Sequence, residues 1–169
     1  MKSFLCALAL FGILCVSTRA LARESGPFGV GLILGEPTAL NFKYDQTQND
    51  AFDAGLAFNL DKWLLVYGDY QYKFAGVLSR EKGLNQFTPY LGIGGVIVAS
   101  NGSLDDTRHY RYFTDSSSSK VALGIRIPFG IEWRPNSPIG VFLEIAPGIA
   151  VIPGTSAFIQ GGLGIRFYF

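Results

Sequence analysis

The chain has almost no cysteine, one histidine, one methionine and no basic surplus, and each shortage removes a class of protein. Cys6 and Cys15, its only cysteines, lie in a leading segment whose Lys2, apolar Phe4–Val16 and Ala20-Leu21-Ala22 read as a secretory signal peptide, residues 1–22. Cleavage there leaves a single domain, 23–169, exported yet unable to form a disulfide, so its stability must come from another source. Cys15 is not expected to carry a lipid, because the bulky Leu14 precedes it where a lipid-attachment signal has Gly or Ala. With 14 basic and 13 acidic residues overall, two of the basic ones (Lys2 and Arg19) in the leader, no cationic surface exists for nucleic acid, and none is expected as a partner. One histidine and no cysteine past the leader leave no zinc-type ligand set, and no EF-hand spacing occurs, so neither a metal nor a cofactor is expected.

Long apolar runs are also lacking after residue 22: nothing approaches the roughly 20 residues of a transmembrane helix. Hydropathy is high all the same, and it is arranged with a period of two. In the ending, Leu163, Ile165, Phe167 and Phe169 alternate with Gly162, Gly164, Arg166 and Tyr168. A terminal apolar strand in water is a sticky edge, whereas in a closed barrel within lipid no edge remains. The terminal Phe with alternating apolar residues is similar to the signal by which barrel-assembly machinery takes up outer-membrane strands.

Eight segments read as strands, at about Phe28–Leu34, Thr38–Asp45, Ala51–Leu60, Trp63–Phe74, Phe87–Ala99, Val121–Trp133, Gly140–Val151 and Ala157–Phe169. The predicted fold is all-β, an eight-stranded antiparallel up-and-down transmembrane β-barrel. A soluble sandwich would alternate too, but would place Lys, Thr, Ser and Asn opposite the apolar residues. In the sixth strand Val121, Leu123, Ile125, Ile127, Phe129, Ile131 and Trp133 form one uninterrupted face, opposed mainly by Gly, Ala and single charges. That pattern suits a narrow interior better than a wet surface. With both termini on the periplasmic side, the long connection 100–120 falls outside, whereas 75–86 falls inside and is longer than such a turn needs. Trp63, Trp133, Tyr70, Tyr72, Tyr168 and Phe169 are placed as interfacial aromatics contacting outer-membrane lipid. Asp53 and Asp69 should both face inward, which requires a bulge or a three-residue turn in place of two residues at Asp61-Lys62.

Inward charges need partners. Turn-centred hairpins put Glu144 diagonally near Arg126 and Arg166, so a lumenal network is expected of Glu144, Arg126 and Arg166, joined by Glu132, Asp69 and Lys43. Its role is read as structural plugging, with a narrow ion or small-solute channel as the alternative. Gly92-Ile93-Gly94-Gly95 opens no helix and is discarded as a nucleotide loop. A lipid-modifying enzyme is the further alternative; it would need His109 to reach a carboxylate, and no nucleophile is placed beside it, so the chain is expected not to be an enzyme. Arg108, His109, Tyr110, Arg111, Tyr112 and Phe113 gather hot-spot residue types in the external loop and are the candidate surface for an extracellular protein partner. Equally, Tyr110 and Tyr112 read as an extension of strand six above the membrane.

The blocks Gly29-Val30-Gly31-Leu32-Ile33-Leu34-Gly35-Glu36-Pro37-Thr38, Asp69-Tyr70, Gly124-Ile125-Arg126-Ile127-Pro128-Phe129-Gly130, Phe142-Leu143-Glu144-Ile145-Ala146-Pro147 and the Gly-Ile-Arg-Phe-Tyr-Phe ending resemble a family of small exported proteins, best known in spirochaetes and long described as a domain of unknown function. The resemblance implies an OmpA-like eight-stranded barrel in the bacterial outer membrane, with some members proposed to bind host complement regulators. The matching blocks lie in strands and short turns, so no host-binding residue carries over.

Overall fold

Period-two alternation of apolar with small or charged residues makes each segment a strand with two unlike faces, and closing the strands on one another satisfies every ladder. The computed structural model describes residues 26–59, 63–78, 83–100, 121–135 and 138–169. Within them run β1 (Phe28–Glu36), β2 (Ala39–Asp45), β3 (Asp50–Asn59), β4 (Trp63–Lys73), β5 (Phe87–Ser100), β6 (Val121–Arg126), β7 (Phe129–Trp133), β8 (Ile139–Ile152) and β9 (Ser156–Tyr168). All pairings are antiparallel and, apart from the closing pair β1–β9, join staves that are sequence neighbours, with β6 and β7 both lying between β5 and β8. β1 pairs β9 from Gly29↔Tyr168 to Glu36↔Gly161, which closes the cylinder.

The nine segments make eight staves. β6 and β7 are the predicted sixth strand, broken at Ile127-Pro128, where Pro128 has no N–H to donate. Pairing with β8 resumes without slippage, from Arg126↔Gly148 to Phe129↔Ile145, so side chains keep their faces across the break. Asn59 pairs Trp63, so three residues join β3 to β4 and Asp53 comes opposite Asp69, both inward. Of the two ways to keep that register, the chain uses the longer turn.

Outward residues are apolar along the strands, with carboxylates only at strand ends, Glu36 of β1 and Asp50 of β3. Among the described residues the exposed aromatics, including Phe28, Tyr44, Phe52, Tyr72, Trp133 and Phe167, all belong to the half that carries the chain termini. Several stack across strands, as Phe28 does on Tyr44 (4.7 Å) and Phe52 on Tyr70 (5.6 Å). At the opposite, distal end the exposed large side chains among the described residues are aliphatic: Leu34, Leu64, Ile97, Val121, Ile152 and Ile159. Two aromatics depart from the sequence expectation. Tyr168 is 1% exposed and points into the lumen, following the inward phase of Arg166, and Trp63 packs on an apolar cluster inside the barrel. The leader 1–22 and connection residues 101–120 lie outside the described residues.

A shell of this kind refolds in detergent, and its migration on an electrophoretic gel is expected to change on boiling; identical migration of boiled and unboiled samples would contradict the closed barrel.

Candidate functional site

An arginine laid across a narrow lumen needs small neighbours on the flanking strands. Arg126 sits between Gly94 and Gly148, Arg166 between Gly31 and Gly140, and Glu144 between Gly130 and Gly162. A Cβ on Gly94 would run into the Asp69 carboxylate, and one on Gly164 into the Phe142 ring. The glycines of the inner face therefore leave room for aromatic rings such as Phe142, Phe158 and Tyr67, and in places for a carboxylate such as Asp69.

Inside, the charges are layered from the terminal mouth inward. Asp45 accepts from both Lys73 and Arg134, each at 2.8 Å. Burial opposes a charge on Arg134, but Glu132, Tyr168 and Asp45 outweigh it and hold the guanidinium above its ordinary value. Lys43 meets Glu132 at 2.8 Å, and the Tyr168 hydroxyl donates to the same carboxylate. Arg166 spans to Asp53 at 2.5 Å, donates to Asn41, and lies 3.6 Å from Glu132. Deeper still, Arg126 pairs Glu144 at 2.5 Å and donates to Gln160 at 2.8 Å, while Tyr90 donates to Glu144 at 2.9 Å. Arg126 Nε also lies 3.2 Å from Asp69, an ion contact without the alignment of a hydrogen bond. Four of these cations stand over aromatic rings: Arg166 on Phe142 (3.5 Å), Arg134 on Tyr168 (3.6 Å), Arg126 on Tyr67 (4.0 Å) and Lys43 on Tyr90 (4.9 Å). Toward the distal end the contents turn apolar, with Ile33, Ala57, Leu65, Val98, Ala150 and Phe158 in one buried cluster.

All six residues of the expected network (Lys43, Asp69, Arg126, Glu132, Glu144 and Arg166) are buried in the lumen. One expected contact is not made: Glu144 does not pair with Arg166. Arg166 reaches Asp53 and Glu132 across the bore, and Glu144 takes Arg126. Sequence reasoning missed Asp45, Lys73, Arg134, Asn41 and the role of Asp53 as the partner of Arg166. The signal for β4 was present, since Tyr67, Asp69, Gln71 and Lys73 share one face at a spacing of two. The candidate loop residues Arg108, His109, Tyr110, Arg111, Tyr112 and Phe113 lie outside the described residues.

Removing one member of a buried pair leaves a charge without a counter-ion, at about 3–5 kcal/mol. Arg166→Met is expected to lose stability on that scale in urea unfolding from micelles, and adding Asp53→Leu to recover part of it. A double variant as unstable as the sum of the two single ones would break the assigned pair.

The barrel is of the outer-membrane type and transmembrane in construction. It is similar to the N-terminal β-barrel domain of Pseudomonas aeruginosa OprF (TM-score 0.53, 14% identity, covering 86% of this chain and 100% of that one), a likeness in fold. It also aligns with the outer membrane enzyme PagL at a TM-score of 0.43 and 13% identity, over 84% of this chain and 99% of that one. No curated protein matches the sequence. Residues 21–169 match the family described as a protein of unknown function, DUF3996, and the chain belongs to that family.

Proposed function

We propose that the protein is a non-enzymatic barrel of the bacterial outer membrane, exported by its leader, with a sealed lumen and a structural or adhesive role exercised through the external loop 100–120. The observation that carries this reading is the filling of the interior: crossed ion pairs over the terminal half and the apolar cluster of Ile33, Leu65, Val98 and Phe158 over the distal half. An ion entering from the terminal side meets carboxylates already bonded to Arg and Lys, then a layer that offers it no ligand. Small barrels are filled by side chains in this way. Asp53, Glu132 and Glu144 are each engaged by a cation, which supports a packing role for them over a catalytic one.

Orientation follows from the connections: outer-membrane barrels carry their longer loops outside, so the end with the termini is assigned to the periplasm, and its Tyr and Trp lie at that headgroup level. The β5–β6 connection then faces the exterior, and its Arg108–Phe113 segment supplies side chains suited to a protein partner.

In planar bilayers the purified protein is expected to give a flat current trace at high protein load; discrete conductance steps would overturn the sealed lumen. Deleting residues 103–117 is expected to abolish binding to cells or serum proteins while boiling still shifts gel migration. Binding that survives the deletion refutes the adhesive role.

A further inference from the structure

We infer that Asp50 and the aromatic rings around it, on the outer wall of the barrel, bind the headgroup of a zwitterionic phospholipid bearing a primary ammonium. Of the two outward carboxylates on the described strands, Glu36 stands at the distal end, away from the exposed aromatics. Asp50 stands among them. Strand pairing sets Tyr72 directly opposite Asp50 and Tyr70 diagonal to it, while Phe52 lies two residues along β3 and Tyr44, the partner of Phe52, is diagonal on the other side. Diagonal neighbours are ~7–8 Å apart, within reach of aromatic side chains. These four rings are 38–48% exposed, so they are open to lipid. The site rests on the outer-membrane reading and makes no use of the external loop.

The carboxylate is fixed before any ligand arrives. Tyr70 donates its hydroxyl to Oδ1 at 2.5 Å, and Thr47 donates to Oδ2 at 2.6 Å. The Thr47 hydroxyl in turn accepts from the backbone N–H groups of Asn49 and Asp50, at 3.1 and 2.9 Å. One hydroxyl on each oxygen leaves each with further capacity to accept. Lys73 attracts Asp50 from the inner face, but its ammonium is bonded to Asp45 at 2.8 Å. The rings are held as well: Phe52 meets Tyr70 edge to face at 5.6 Å, and Tyr72 meets Phe74 in the same way at 5.3 Å.

A carboxylate flanked by aromatic faces is complementary to an organic cation, which the rings attract through their π-systems. Tyr-rich girdles sit at the headgroup level, where the organic cations at hand are the ammonium groups of phospholipids. A primary ammonium can donate N–H to the open lone pairs of Asp50, a charge-assisted bond that a trimethylammonium cannot make. The hydroxyls of Tyr44 and Tyr72 make no hydrogen bond to another described residue, so they remain donors for the phosphate of the same lipid. An anionic headgroup brings a phosphate to Asp50 without a cation and is repelled.

The test is native mass spectrometry of the full chain refolded in micelles doped with equimolar dioleoyl phosphatidylethanolamine, phosphatidylcholine and phosphatidylglycerol. The ethanolamine lipid is expected to be retained about tenfold more than the glycerol lipid and severalfold more than the choline lipid. Asp50→Asn should bring its retention down to that of the glycerol lipid. Tyr72→Phe, which keeps the ring and removes the hydroxyl, should lower it severalfold, and Glu36→Gln should leave it unchanged. Equal retention of the three lipids, an unchanged preference in Asp50→Asn, or the same loss in Glu36→Gln would overturn the site. Should Asp50→Asn fail to fold, the lipid comparison and Tyr72→Phe decide alone. Gel migration of the same samples before and after boiling checks the barrel separately: a heat-modifiable protein without lipid preference overturns this site and leaves the outer-membrane reading standing.

Discussion

A charged side chain that points into this barrel can neither snorkel to water nor turn outward into hydrocarbon, so its counter-ion must be built in at a fixed place. That requirement reaches the rest of the structure. Arg126 and Arg166 meet Glu144 and Asp53 only because β-pairing holds one register. Shifting a strand by one position would turn its charges toward lipid and its isoleucines inward. The ion network therefore specifies the register at least as much as it contributes to stability. Buried pairs as such are weak evidence of stability, since desolvation offsets much of their attraction.

Along its axis the molecule divides in two. The half with the termini has charges inside and aromatic rings outside; the distal half is apolar inside and aliphatic outside. The division places polar chemistry near one end and fills the other with apolar side chains.

The strands and their faces were legible because a period of two survives glycine, proline and single charges alike. Val121 to Trp133 was readable as one stave for this reason, and the break at Pro128 alters hydrogen bonding without altering facing. The turn at 60–62 was less legible, since its length decides which face Asp69 takes and two lengths fitted the composition. Ion partners were the least accessible. Glu144 with Arg126 spans adjoining staves and follows from local register, but Arg166 with Asp53, and Lys43 with Glu132, join staves that are not neighbours. Such contacts depend on the diameter and tilt of the closed cylinder, which no single segment encodes. Tyr168 shows a different failure: its place in the alternation pointed inward, and its nearness to the strand end drew the wrong assignment.

The seam from Gly29↔Tyr168 to Glu36↔Gly161 also sets the tempo of folding. It joins segments separated by nearly the entire domain, so its loop-closure entropy must be met before its hydrogen bonds form. Until then β1 and β9 are raw edges open to mispairing and aggregation. Among the pairings of this topology, the meeting of the two ends closes the longest loop and carries the largest entropic cost.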